Sequence, residues 1–345
     1  MQINSGIKPQ PIIWVDMMRS VAAFIVVLAH VPFDWAGEPA WAYTLYYSFS
    51  RIGVPIFFLI SGYLLLSKQE PILDFSIKRV TRIALPFLVW SIVYDVINSQ
   101  TFVDAGVTFE GILKMFIRII RGPRAAHLWF FYSLIGLYLF TPILRVFVAH
   151  AKKSEVNYYI ALWFLAMPIL YLVEGLTPIK NGFEIYYIGG YVGYFLLGYY
   201  IGKLDNSTQN LKIGLILFIV GFLFTFLVHY YDISPQDNKL VFRSYLSLNI
   251  IIMSLGAFLL MKNIAGKAPP LVIKIAHQVS ATSFGIFLIH VIIFEWVSIL
   301  AKLYGLHIQT YNAVISIPIA AVITFLISWL SVYIIQRVPI LRSIV

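Results

Sequence analysis

There is no cysteine in this chain of 345 residues. That excludes disulfides, a thiolate nucleophile and any metal site built on thiolates. Charge is scarce too: Asp, Glu, Lys and Arg make up 12% of the residues, against about 25% in a soluble protein. Acids are the scarcer kind, 15 against 25 basic residues. The sequence holds no CxxC, HExxH, P-loop or GxGxxG pattern, so zinc hydrolysis and soluble nucleotide-binding folds have no support. No metal and no nucleic-acid partner is expected. Internal repeats and low-complexity tracts are likewise missing. The first 13 residues are too short and too polar for a cleavable signal, so the first apolar run is expected to be retained.

What the chain has in abundance is hydrocarbon: 60% of its residues are hydrophobic and the mean hydropathy is +0.86. This composition predicts an all-α polytopic membrane protein forming one domain over 1–345. A span needs about 20 apolar residues, and suitable runs fall near 13–33, 43–66, 79–99, 127–148, 156–173, 184–203, 212–230, 242–262, 280–300 and 312–336. Ten spans put both termini on one side. With the N-terminus inside, the inner segments carry fifteen Lys and Arg and the outer segments eight, while Arg19 and Arg51 lie within spans. That bias places both termini in the cytoplasm of a cell (inner) membrane. Pro55, Pro86, Pro142, Pro168 and Pro318 interrupt the runs, as is common in membrane helices.

One outer segment, 100–126, is anomalous, because it carries Lys114, Arg118, Arg121 and Arg124. Its middle places Ile112, Leu113, Phe116, Ile117 and Ile120 on one helical face and the charges on the rest. This predicts an amphipathic helix lying in the outer interface. It is either a lipid-surface anchor or a basic lip that gathers an anionic acceptor.

Arg19 and His30 share the run WVDMMRSVAAFIVVLAHV (14–31) in the pattern Arg-x10-His. Ionisable groups inside a bilayer are costly and usually mark a pathway or a reactive centre. Eleven helical steps separate the pair by roughly 16 Å along the axis. Such a helix suits an anionic cofactor at one end and chemistry at the other. Asp16, three residues before Arg19, offers an alternative: an ion pair with Arg19, or an orienting contact to it.

The segments DMMRSVAAFIVVLAH (16–30), FFLISGYLL (57–65), KRVTRIALP (78–86), HLWFFYSLIGLYLFTP (127–142) and SFGIFLIH (283–290) resemble the membrane acyltransferase 3 family, in order and over nearly the whole chain. The resemblance implies a ten-helix enzyme that O-acylates, or in some members N-acylates, extracytoplasmic sugars and lipids. The compact size is similar to the branch that acetylates enterobacterial surface polysaccharides. One departure is plain. Many members carry a Glu-Glu pair shortly after the His-x-Trp of the fourth span, where this chain has Ser133, Leu134 and Ile135.

The resemblance implies acetyl-CoA as acyl donor, a glycan or glycolipid acceptor, and roles for particular residues. Arg19, Lys78, Arg79 and Arg82 are assigned to the donor's phosphates, since guanidinium forks bind phosphate bidentately; the alternative is ordinary positive-inside flanking charge. His30 is the general-base candidate, because neutral imidazole suits removal of a hydroxyl proton; the alternative is a histidine at a span's outer end, hydrogen-bonded to water or backbone. Arg51 stabilises an oxyanion, binds an anionic acceptor, or pairs with a carboxylate such as Glu295. His290 and Glu295 form a second tier, as a donor to the sugar or an orienting carboxylate. His127 and Trp129 are assigned to the acceptor, with interfacial anchoring as the alternative for Trp129. Ser61-Gly62 reads as close helix packing. Two other functions remain open: a transporter or flippase of a glycan or lipid intermediate, and a non-catalytic subunit of a polysaccharide synthase.

Overall fold

The computed structural model describes residues 12–31, 39–98, 107–182, 185, 188–233 and 241–345. Lys8, Lys239, the last residues of the first expected span and the start of the 100–126 segment lie outside them. The described residues are helical, without strands. In chain order the helices are α1 (Ile13–His30), α2 (Ala40–Ser50), α3 (Gly53–Leu66), α4 (Ile72–Arg79), α5 (Leu85–Asn98), α6 (Phe109–Arg121) and α7 (Trp129–His150). They continue as α8 (Lys153–Phe164), α9 (Leu170–Leu176), α10 (Val192–Gly202), α11 (Thr208–Tyr230), α12 (Leu248–Ile264), α13 (Pro270–Leu303) and α14 (Ala313–Ile335).

Among the described residues, nine helical stretches are long and apolar enough to cross a membrane: 13–30, 40–66, 72–98, 126–150, 153–176, 208–230, 248–267, 270–303 and 313–335. These match nine of the ten expected spans, with shifted ends. The expected span near 184–203 differs. Its helix α10 has 11 residues, about 16 Å long against a hydrocarbon core of about 30 Å. The run is apolar all round because protein, not lipid, surrounds it. Tyr194, Phe195 and Leu196 are fully buried, and α10 packs along α3. The approach is so close that a Cβ at Gly198 would lie 2.0 Å from the Leu59 carbonyl oxygen, and one at Gly62 would lie 2.1 Å from that of Phe195. Only small residues allow backbones to meet this way.

Prolines set the two interruptions that matter for the site. Pro55 cannot donate to the carbonyl four residues back, that of Arg51, and the helix breaks at Arg51–Ile52 between α2 and α3. Pro86 stands in the same relation to Arg82, and a wide π-helical turn, Val80–Ala84, joins α4 to α5 there. Such turns are frequent at functional sites.

α1 lies in the middle of the bundle. Met18, Ala22, Ala23 and Val27 are fully buried, and the helix packs on α3, α12, α13 and α14.

The amphipathic helix forms as expected, as α6, but most of its charge is already engaged. Asp95 of α5, fully buried, lies 2.5 Å from Arg118 Nη2 and 2.7 Å from Arg124 Nε. Lys114 pairs with Glu110 at 2.6 Å. The basic lip is therefore largely an ion-pair clamp that fixes α6 to α5. Removing one member of a buried pair strands the other charge and costs about 3 kcal/mol. Asp95→Asn is expected to release α6, seen as faster tryptic cleavage at Lys114 and Arg121 in the folded protein. Unchanged cleavage would mean that lipid alone holds the helix.

Candidate active site

α1 is the axis of the site, with Arg19 as the seventh of its 18 residues and His30 as its last. At the His30 end two other elements converge. α13 brings His290, and the turn Ala126–Leu128 ahead of α7 brings His127. Ring centroids lie 4.8 Å apart for His30 and His290, 5.0 Å for His127 and His290, and 5.9 Å for His30 and His127. His290 is 0% exposed and His127 2%. Among the described residues, no group of three or more His, Cys, Asp or Glu is placed to hold a metal ion.

The hydrogen-bond partners assign the tautomers. His290 Nδ1 lies 2.8 Å from the Phe287 carbonyl and 3.1 Å from that of Ile286. Carbonyls only accept, so Nδ1–H donates and Nε2 of the neutral ring carries the lone pair. His30 Nδ1 lies 2.8 Å from the Val26 carbonyl and 3.2 Å from His290 Nε2. Both are acceptors, so His30 Nδ1–H donates between them. His30 Nε2 then carries the lone pair a base requires. His127 Nε2 faces the Leu288 carbonyl at 3.4 Å, while its buried Nδ1 has no hydrogen-bond partner among the described residues.

Phe287 touches this cluster, 5.9 Å from His290 and 6.0 Å from His127 between ring centroids. The same ring lines a cavity of about 500 Å³, within the roughly 300–1,000 Å³ typical of ligand sites. Phe57, Phe130, Phe131 and Tyr138 form its aromatic wall, and Ser61 and Ser280 add hydroxyls. Arg19, Arg79, Arg82 and Arg342 line it as well. Arg19, Arg82 and Arg342 form no ion pair among the described residues. The cavity thus holds a cationic group of side chains and an aromatic wall, and one ring of that wall, Phe287, also contacts the histidines.

Glu70, in the loop before α4, organises the neighbouring cations. It lies 3.0 Å from Lys78, 3.0 Å from Arg145 and 3.8 Å from Arg79. Burial pushes its carboxyl up, but hydrogen bonds from Lys78 and Arg145 outweigh that and hold it below the usual carboxylate range.

A family model described as an acyltransferase domain, Acyl_transf_3, matches residues 12–333. The chain belongs to the acyltransferase 3 family. No curated protein and no solved structure matches it significantly. It is therefore a membrane acyltransferase, and its ionisable side chains gather in two neighbouring places, the arginine-lined cavity and the histidine cluster that Phe287 adjoins.

The structure sorts the residues singled out in the acyltransferase sequence. His30, His290 and His127 come together, and Arg19, Arg79 and Arg82 line one cavity. Lys78 does not line it; its side chain is 57% exposed and paired with Glu70. Asp16 does not pair with Arg19. Its carboxylate accepts from Ser280 at 2.7 Å and lies 2.8 Å from His277 Nδ1, tying α1 to α13. Arg51 does not pair with Glu295. It bonds the Arg243 carbonyl and sits 3.9 Å over the Tyr245 ring, while Trp129 stacks on Tyr245 at 5.4 Å. Glu295 is exposed, because five residues beyond His290 turn a helix by about 140° away from it. Ser61 and Gly62 divide their roles between the cavity wall and the α3–α10 contact. Arg342 counted only as an inner charge in the sequence; nothing local marked it as a cavity residue.

Two measurements follow from this geometry. His290→Phe removes the acceptor of His30 Nδ1–H; a positioning role predicts on the order of tenfold slower transfer, unchanged donor affinity and a displaced acidic limb of the pH–rate profile. An unmoved profile would reduce His290 to packing. Glu70→Gln is expected to lower Tm at pH 7 by about 2 °C. Because the folded carboxyl is held below its unfolded value, its contribution is present above the unfolded pKa of about 4.3 and is lost as pH falls through the folded one. The difference between variant and wild type should then vanish on acidification.

Proposed function

We propose that this acyltransferase moves an acetyl group from cytoplasmic acetyl-CoA to a hydroxyl of an extracytoplasmic glycan or glycolipid, with both termini in the cytoplasm, which requires α10 to count as a tenth, protein-enclosed crossing. The observation that carries the reading is the single cavity. Three arginines without ion-pair partners among the described residues gather at it, and Phe287 in its wall touches the histidine cluster. Such a cationic group has the chemistry of a nucleotide-phosphate site. The roughly 16 Å between Arg19 and His30 along α1 suits a long thioester arm, which the cavity's aromatic wall would flank.

In the proposed reaction His30 Nε2 takes the acceptor hydroxyl proton as the new C–O bond forms at the thioester carbonyl. The tetrahedral oxyanion collapses, the C–S bond breaks, and the proton on His30 passes to the departing CoA thiolate. His290 holds the imidazole in the required tautomer. Arg51, with Tyr245 and Trp129, forms a cationic and aromatic platform suited to stacking on a sugar ring or binding an anionic acceptor.

The test is purified protein with radiolabelled acetyl-CoA and a panel of surface polysaccharides, with the labelled atom mapped. His30→Gln should slow transfer on the order of 10²–10⁴-fold and still bind donor. Arg79→Ala/Arg82→Ala should weaken donor binding in a folded protein. Near-normal transfer by His30→Gln would remove it as the base. Glycan export without label transfer would point instead to a transporter.

A further inference from the structure

Arg342 reaches the cavity from outside the helical bundle. After α14 ends at Ile335 the chain turns back into a 3₁₀ turn, Leu341–Ile344. Trp90 Nε1 of α5 donates to the Ile344 carbonyl at 2.8 Å. Val345 packs beside Gly285 of α13, where an added Cβ would lie 3.1 Å from it. This strap delivers Arg342 and Ser343 to the cavity wall. It lies beyond residue 333, where the family match ends.

The four cavity arginines differ in depth. Arg19 and Arg79 are half-buried, whereas Arg82 and Arg342 are exposed at the rim. Given the acetyl-CoA donor of the preceding section, on which this inference rests, the ligand's own chemistry orders its anions. The ribose 3′-phosphate sits at the end of the molecule remote from the thioester, and the diphosphate lies between them. With the thioester directed at His30, the 3′-phosphate is left at the rim. We propose that Arg342, positioned by the Trp90-anchored strap, binds that 3′-phosphate with Arg82, while Arg19 and Arg79 meet the diphosphate. A terminal phosphomonoester carries more charge and more acceptor oxygens than a bridging diester, so it rewards a guanidinium fork most. No carboxylate among the described residues pairs with Arg342 and competes for it.

The experiment measures binding of CoA and of dephospho-CoA, which lacks only the 3′-phosphate, to the detergent-solubilised full chain. Arg342→Gln should weaken CoA about tenfold, the worth of one charge-assisted contact, and leave dephospho-CoA unchanged. Trp90→Phe keeps a ring but loses the indole N–H; the same ligand-selective loss, smaller at about threefold, is expected if the strap positions Arg342. Wild-type CoA affinity in Arg342→Gln overturns the proposal, as does equal loss against both ligands. Wild-type protein that binds neither ligand would sink the donor reading itself, whereas wild-type binding with an unaffected Arg342→Gln sinks only this inference.

Discussion

A guanidinium or carboxylate inside a hydrocarbon-rich bundle has to be answered by an opposite charge, a carbonyl, an aromatic face or a ligand, because little water is there to do it. The described residues show the first three kinds of answer. Asp95 is met by Arg118 and Arg124, Glu70 by Lys78, Arg79 and Arg145, and Asp16 by Ser280 and His277. Arg51 is met by the Arg243 carbonyl and the Tyr245 ring. Once these are set aside, the cations that remain around the cavity are Arg19, Arg82 and Arg342. The electrostatics of the described residues therefore separate charges answered within the protein from charges left without an ion-pair partner at the cavity.

Backbone interruptions place those charges. A continuous helix through 40–66 would carry Arg51 on a regular face. The break imposed by Pro55 instead puts it at a corner, where its guanidinium reaches across to Tyr245. Likewise the π-helical turn ahead of Pro86 separates Arg79, held from behind by Glu70, from Arg82, which stays exposed at the rim. Neither proline is required for crossing a membrane. Each adjusts the direction of an arginine.

Much of this was legible in the sequence, because apolar runs and the Arg-x10-His interval are local properties of helices. His30 and Arg19 stood out as ionisable groups in hydrocarbon, and the two later histidines as parts of motifs. The failures share a cause: they depend on what lies across the bundle. Asp16 stands three residues from Arg19, yet its better partners are 261 and 264 positions away. Lys78 adjoins Arg79 in sequence but points to Glu70. α10 read as a span because hydropathy cannot tell a lipid-facing surface from a protein-facing one. The role of His290 depends on a contact with α1 that spacing within α13 does not encode.

The short helix α10 has a consequence for biogenesis. A half-length helix whose glycine-lined faces meet Leu59 of α3 and Trp163 of α8 has no stable home in lipid by itself. Its neighbours are lateral partners that must already stand in the membrane, so α10 settles only as the bundle closes around it. The long helices and α10 are thus held in the membrane by different interactions, lipid for the former and lateral protein packing for the latter. That packing leaves Tyr194 and Phe195 sealed from the bilayer.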